Sequence, residues 1–379
     1  VTSVCACCGS RDIVAVASTP PLPVNACRLT HSAEVSAATS RRPIELLGCN
    51  DCRFLWNRSF DPALLQYDIS YEGTQIHSPH FRAYLLETAQ HWLHCVGPDI
   101  GTVFEVGCGQ GEFIDILGTL THATLVGCDP ASRGAPNGNI TIHPRVLSSL
   151  DKRNYDVVIN RMTLEHIADP EAFICEMADC LAPDGCLITQ IPNAGRMIDH
   201  ALFCDLIYEH VNYFNAYAMT RLMRRLGFES NRCELSYDGQ HLTVFSYRAA
   251  DRFEDSGAVH KPDLRTFRAN AADFAGIWHK RLTGFVQDGY PVFVWGAGSR
   301  ATTFLNALPD PDLIKGVIDI NPRRHGTFVQ GTSCLTEAPE RLCGVGAAKV
   351  VIMNPIYRDE IQAMMATLAV DAELVAGPL

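Results

Sequence analysis

Positive charge is what this chain is short of. Its 379 residues carry 31 Lys and Arg against 42 Asp and Glu, a net charge of -11 at pH 7 with no long basic run. A phosphate backbone calls for such a run, which excludes nucleic acid as the main ligand. Long apolar runs are lacking too: no window approaches the roughly 18 uninterrupted apolar residues of a membrane helix, and the opening VTSVCACCGS has no signal-peptide pattern. The expectation is a cytoplasmic protein with neither nucleic acid nor membrane as partner. Short-period repeats are absent as well. What remains is an ordinary globular composition, 47% hydrophobic and 19% charged. The chain is longer than one hydrophobic core usually supports, which implies two or three domains. In a reducing compartment its 16 cysteines should be thiols, so closely spaced pairs are better metal ligands than disulfide partners.

Two such pairs stand at the start. Residues 1–62 are rich in Cys, Pro and turn residues and too few to hold themselves together by a core. Cys5-x-x-Cys8 and Cys49-x-x-Cys52 can each present two thiolates to one tetrahedral, structural Zn²⁺. Gly9 follows Cys8 where a knuckle needs a tight turn. The gap from Cys8 to Cys49 is longer than in the commonest zinc ribbons, and Cys7 and Cys27 are left over.

Residues 63–250 open on a helical stretch, HFRAYLLETAQHWLHCV, then alternate apolar runs (TVFEVGC, ATLVGCD, DVVINRM, CLITQIP) with helical patterns (EFIDILGTL, PEAFICEMADCL). That alternation predicts an α/β fold around a parallel sheet. Asp238-Gly239 between two strand-like runs predicts a hairpin, so the sheet should end in an antiparallel strand. A polar linker is expected from Arg248 to about Pro262 and a helix near 264–288. Residues 251–379 then repeat the α/β logic in PVFVWGAGSRATTFLNAL, LIKGVIDI and AKVVIMN.

The run VFEVGCGQGEF passes from strand through a glycine turn into a helix. Gly107, Gly109 and Gly111 are spaced G-x-G-x-G, with Glu112 where a dinucleotide loop wants its third glycine, so NAD is not the best ligand. Glu105, just ahead of the loop, suits a cationic ligand. S-adenosylmethionine has a sulfonium and an ammonium and no phosphate. Asp129, ending the next strand, can bond both ribose hydroxyls, and Asn160, ending DVVIN, completes the candidate cofactor set. Together with DVVINRMTLEHIADPEAF and LAPDGCLITQIPN, these residues resemble class I S-adenosylmethionine-dependent methyltransferases.

With the Cys knuckles in front and a third α/β part behind, the whole chain resembles the three-domain C-methyltransferases, known chiefly from methylation of nucleotide-linked keto-deoxysugars. The resemblance implies a zinc domain (1–62), a class I methyltransferase core (63–250) and a C-terminal Rossmann-like substrate domain (251–379). The family's Tyr-His-Glu-His and following Tyr are matched by YEHVNYF through Glu209, His210 and Tyr213, with Ile207 and Tyr208 departing from the first Tyr and His. The departures point away from an ordinary deoxysugar. Methylating carbon beside a ketone requires a positioned base and something to hold the enolate. His210 suits the base, Glu209 an orienting role, and Tyr208 or Tyr213 a donor to the developing oxygen charge. By the same resemblance His166, after the fourth strand, is a second oxyanion candidate. Tyr71 and His77 in SYEGTQIHSPHF are candidates to line the substrate cleft, and His77 with His80 has the alternative spacing of a metal HxxH pair.

In the third part Gly296, Gly298 and Ala301 satisfy G-x-G-x-x-A, and Asp319 follows at about the 20 residues expected of a ribose-binding acid. Alone this reads as an NAD site, which keeps a nicotinamide oxidoreductase as the alternative from another class. The resemblance favours a substrate-holding loop whose helix N-terminus and Arg300 receive an anionic group such as a sugar nucleotide's diphosphate. O- or N-methylation of a small metabolite is the nearer alternative, since the same base would serve. A zinc-bearing interaction module explains residues 1–62 and nothing after them.

Overall fold

The computed structural model describes residues 4–68, 70–132, 138–151, 153–249, 260–271 and 273–378. Among the described residues a two-stranded sheet, Leu22–Pro23 with Arg41–Arg42, and three larger ones carry the chain. The middle one has seven strands in the spatial order Ile140–His143, Thr124–Cys128, Thr102–Val106, Tyr155–Arg161, Leu181–Pro192, His241–Arg248, Phe228–Ser236. Numbered along the chain that is 3-2-1-4-5-7-6, with strand 7 antiparallel to both neighbours. The hairpin turns at Tyr237, Asp238 and Gly239, all at positive φ. The antiparallel strand is therefore inserted second from the edge, not placed at the end. This is the class I methyltransferase topology, and the carboxyl ends of strands 1 and 4 diverge at its switch point, where ligands collect.

Because strands reverse side every residue, their apolar runs feed two cores at once. Val103, Leu125, Val157 and Ile159 pack under the helices Pro79–Val96 and Glu112–Gly118, while Phe104, Val106, Val126 and Val158 pack on the other face with Ile174 and Leu222. Ser78 caps the first of these helices on the Phe81 amide, with Pro79 in its first turn.

The C-terminal sheet is parallel throughout, in the order Thr336–Glu337, Ile314–Ile318, Val292–Trp295, Ala348–Ile352, Ala372–Ala376. The helix expected near 264–288 is two, Leu264–Ala271 and Phe274–Gln287. Of the expected linker, residues 250–259 lie outside the described residues. Among the described residues no helix is long and apolar enough to cross a membrane.

The N-terminal sheet runs Ile13–Ser18, Glu45–Cys49, Leu55–Asn57 and then Asn212–Tyr213, a strand borrowed from far along the chain. The first module is thus not closed within residues 1–62. The long gap between the knuckles also has a use. Ser36 donates to the Val329 carbonyl at 2.9 Å, the Ala26 carbonyl accepts from Thr302 at 2.9 Å, and Arg41 bonds the Gly331 carbonyl. The segment between the two cysteine pairs therefore reaches the C-terminal domain.

Candidate active site

The cysteine pairs meet as the spacing requires. Cys5 Sγ lies 3.5 Å from Cys52 Sγ and Cys8 Sγ 3.6 Å from Cys49 Sγ, all four sulfurs fall within 4.8 Å, and none forms a disulfide. Ligands about 2.3 Å from a tetrahedral Zn²⁺ sit about 3.8 Å apart, so the donor set fits zinc. The two knuckles are alike: Gly9 N–H donates to the Cys5 carbonyl and Arg53 N–H to the Cys49 carbonyl, each at 2.9 Å. Gly9 and Arg53 both have positive φ, 75° and 62°. Cys7 is buried beside this cluster and Cys27 is buried elsewhere, against the cleft.

At the switch point, the glycine turn approaches Thr163 so closely that a Cβ on Gly107 would stand 2.1 Å from its hydroxyl. Gly109, at φ 55°, has nothing within 4 Å of its absent Cβ, which leaves that face free to a ligand. Asp129 accepts from Gly109 N–H at 3.0 Å and Ala131 N–H at 2.7 Å, which fixes the carboxylate beside the turn. Glu105 is 2% exposed with Oε2 lacking a partner, and Asn160 Oδ1 is likewise buried and unsatisfied. Buried acceptors without donors are costly, and the ammonium and hydroxyls of S-adenosylmethionine are donors of the kind these two lack. The residues therefore fit S-adenosylmethionine. Burial pushes the Glu105 carboxyl up to about 7, with nearby Arg161 opposing the rise.

Past the carboxyl end of the fourth strand, at Arg161 and Met162, lies a cavity of ≈ 480 Å³ walled by the methyltransferase core, the N-terminal segment and the C-terminal domain. Its lining includes Tyr71, His77, His166, Glu209, His210, Tyr213 and Arg300, all expected at the site. His166 and His210 meet edge to face with ring centroids 4.8 Å apart. His166 Nδ1 faces the Glu209 carbonyl at 3.1 Å and the Tyr67 hydroxyl at 2.9 Å. A carbonyl only accepts, which favours the tautomer with the proton on Nδ1 and Nε2 as a bare acceptor, while the Tyr67 hydroxyl can serve Nδ1 in either tautomer. Burial holds His166 down at about 4 and, with His166 beside it, holds His210 well below the usual imidazole range. Both rings are neutral at pH 7. The two carboxyls shift the other way: burial pushes Glu165 up to about 8 and Glu209 up to about 7, the latter opposed by the Asn25 amide at 3.3 Å. Glu165, His166 and His210 bring their polar atoms within 4.8 Å of one another.

Several expectations are corrected by this geometry. Tyr208 turns away from the cavity into the N-terminal module, where its hydroxyl donates to the Ser59 carbonyl and accepts from Asp61 N–H, both at 3.0 Å. Tyr213 reaches the cavity wall, but its hydroxyl is spent on Ile207, donating to the carbonyl at 3.0 Å and accepting from the N–H at 3.1 Å. In the tautomer that the Glu209 carbonyl favours, His166 has no hydrogen to give an oxyanion. Arg300 is held by both oxygens of Asp205, at 2.5 and 3.1 Å, so it is not a free cation. His77 and His80 belong to neither cluster of metal-type ligands found among the described residues.

Glu165, Tyr67 and Asn25 were missed. Glu165 had a signal, its place beside His166, whereas Tyr67 and Asn25 reach the site only through long-range contacts. The loop carrying His210 is pinned from two sides: Val211 N–H donates to the Glu165 carbonyl at 2.8 Å, and Asn57 N–H to the Val211 carbonyl at 2.9 Å. In the C-terminal domain, Asp319 accepts from Ala297 N–H at 2.7 Å and Asn321 N–H at 2.8 Å, mirroring Asp129 at the first turn. This second glycine loop opens into the same cavity.

A family model described as a methyltransferase domain matches residues 79–232, and one described as a C-methyltransferase C-terminal domain matches 247–376. The loop that alone resembles a nicotinamide site thus lies in a C-methyltransferase domain. The C-methyltransferase NovU of Streptomyces niveus is 21% identical over 370 residues, 90% of this chain and 86% of that protein. A ubiquinone biosynthesis O-methyltransferase of Cereibacter sphaeroides is 29% identical over 103 residues, 24% of this chain, and the match spans only 41% of that relative's length. The structure of the 1,6-didemethyltoxoflavin-N1-methyltransferase of Burkholderia thailandensis aligns with 53% of this chain and 98% of its own at 14% identity and a TM-score of 0.37. The two family matches, set on the 3-2-1-4-5-7-6 sheet, show that the chain carries a methyltransferase domain of the class I fold followed by a C-methyltransferase C-terminal domain.

Proposed function

We propose that the protein methylates a carbon next to a ketone on a small molecule, a nucleotide-linked sugar or another secondary metabolite. What carries this reading is the pair of half-buried, neutral imidazoles on the wall of a cavity that the glycine turn's domain shares with the C-terminal domain. When bound, S-adenosylmethionine supplies an electrophilic methyl group on a sulfonium, and Glu105, Gly107, Gly109, Gly111, Asp129 and Asn160 are the residues to hold it. His210 takes the proton from the acceptor carbon, and the electron pair moves onto the carbonyl oxygen as an enolate. Glu165, kept as a carboxylic acid at neutral pH, is the donor for that oxygen, since His166 has no hydrogen to offer. His166 and Glu209 fix the orientation of the pair. Tyr71 and His77 line the acceptor space. The C-terminal helix Ser299–Ala307 starts at the cavity with no side-chain cap, which suits an anionic part of the substrate. NovU's name as a C-methyltransferase supports the choice of carbon. O- or N-methylation would use the same base and remains the outcome to distinguish.

The decisive experiment offers methyl-labelled S-adenosylmethionine with a panel of keto-sugar nucleotides, keto acids and phenols, then locates the label by NMR. A carbon-bound methyl is expected. Label on oxygen or nitrogen refutes the carbon assignment and leaves the cofactor reading standing.

A second expectation concerns cofactor binding alone. Glu105 is largely protonated below its raised pKa of about 7, and an ammonium beside it favours the ionised form. S-adenosylhomocysteine binding near pH ~6 therefore releases protons, and above pH ~8 the release vanishes because the carboxylate is already ionised. Calorimetry in buffers of different ionisation enthalpy reads this directly. A binding enthalpy independent of buffer at the lower pH contradicts it.

A further inference from the structure

The cofactor residues above account for the ammonium and ribose of the methyl donor and leave its α-carboxylate without a counter-charge. A half-buried cation stands on the side of the sheet that Glu105 faces. Arg161 closes the fourth strand, two residues beyond Ile159, whose register partner on the first strand is Glu105. Side chains two apart share a face, so Arg161 and Glu105 project on the same side of the sheet. Among the described residues Arg161 forms no ion pair within 4.0 Å, although Glu105 and Glu112 both act on it electrostatically.

Its guanidinium is nonetheless held in one orientation. Nε donates to Gln190 Oε1 at 3.0 Å, and Gln190 is itself fixed by donating to the Tyr84 hydroxyl at 3.1 Å and the Thr243 hydroxyl at 3.0 Å. The guanidinium carbon lies 4.2 Å from the centroid of Phe113, on the helix that follows the glycine turn. Arg161 also lines the cavity. With Nε committed to Gln190, the terminal nitrogens form a fork of the kind that binds a carboxylate at two points.

We propose that Arg161 receives the α-carboxylate of the methyl donor, so that Arg161 and Glu105 together read the charges of its amino-acid end. The proposal rests on the methyl-donor reading of the site. It makes the arginine a cofactor-selecting residue placed between the glycine turn and the acceptor cavity.

The test is calorimetry on the full chain with two probes, S-adenosylhomocysteine and its decarboxylated analogue, which keeps the ammonium and lacks the carboxylate. The wild-type protein should prefer the first by roughly 10- to 100-fold, the size of a charged hydrogen-bonded contact. Arg161→Met should bind the two alike, with affinity for the decarboxylated analogue unchanged; that retained affinity also reports an intact fold. Arg161→Lys should restore part of the preference. An Arg161→Met protein that keeps the wild-type preference overturns the proposal. A wild-type protein that binds neither probe overturns instead the methyl-donor reading on which the proposal rests.

Discussion

Replacing His210 by Asn lowers turnover by roughly 100- to 10,000-fold, the usual worth of a positioned base, and leaves S-adenosylhomocysteine affinity unchanged. The substitution keeps a polar side chain of similar reach and removes the atom that takes the proton. Affinity is spared because Glu105, the glycine turn and Asp129 sit on or just after the first and second strands, whereas His210 lies in the loop before Asn212–Tyr213. The pH dependence has a definite sign. Burial and the neighbouring His166 favour the neutral ring, so the base stays competent as the pH falls through 6.5 and fails only well below it. A free imidazole would lose half its activity near pH ~6.5. Near-normal turnover in His210→Asn, measured with saturating acceptor, would move the base elsewhere.

Loss of a zinc ion from the four thiolates proposed to hold it should be felt just as strongly, and at a distance. Structural zinc supplies on the order of 10 kcal/mol in small domains, comparable with the whole stability of many proteins. Cys49→Ser, or treatment with a strong chelator, should therefore melt the N-terminal sheet. It should abolish turnover too, because that sheet ends in Asn212–Tyr213 and Asn57 holds Val211, the residue after the proposed base. Asn215 ties the same region to the knuckle by donating to the Cys52 and Arg53 carbonyls at 3.3 and 2.8 Å. Metal analysis should find about one zinc per chain. Cys49→Ser protein with an unaltered melting profile and full turnover would refute both the metal and its coupling to the site.

These couplings mark where reading the chain in order stops being enough. The glycine turn was legible because strand, turn and helix are contiguous from Glu105 to Glu112, and each residue's duty follows from its neighbours. The cysteine knuckles were legible for the same reason, since two thiolates in one turn already form half a site. Tyr208 was not. Its place beside Glu209 made it a candidate, but a one-residue step in an irregular loop reverses direction, and Ser59 and Asp61 claimed its hydroxyl. For His166 the sequence placed the ring correctly and missed its tautomer, which depends on the carbonyl of Glu209, 43 residues away. Asn25 and Tyr67 had no local pattern, and their polar atoms matter only because the folded chain brings them to Glu209 and His166.

The order of apolar runs, the glycine turn with its two acids and the paired cysteines determined the class of fold, the kind of cofactor and the metal-type ligands, because each rests on contacts between residues close in sequence. The tertiary structure alone decided which side chains share one cavity, that the first module is completed by a strand from beyond residue 200, and which carboxyls and imidazoles are neutral. Those properties depend on desolvation and on partners tens to hundreds of residues away, and a linear pattern encodes neither.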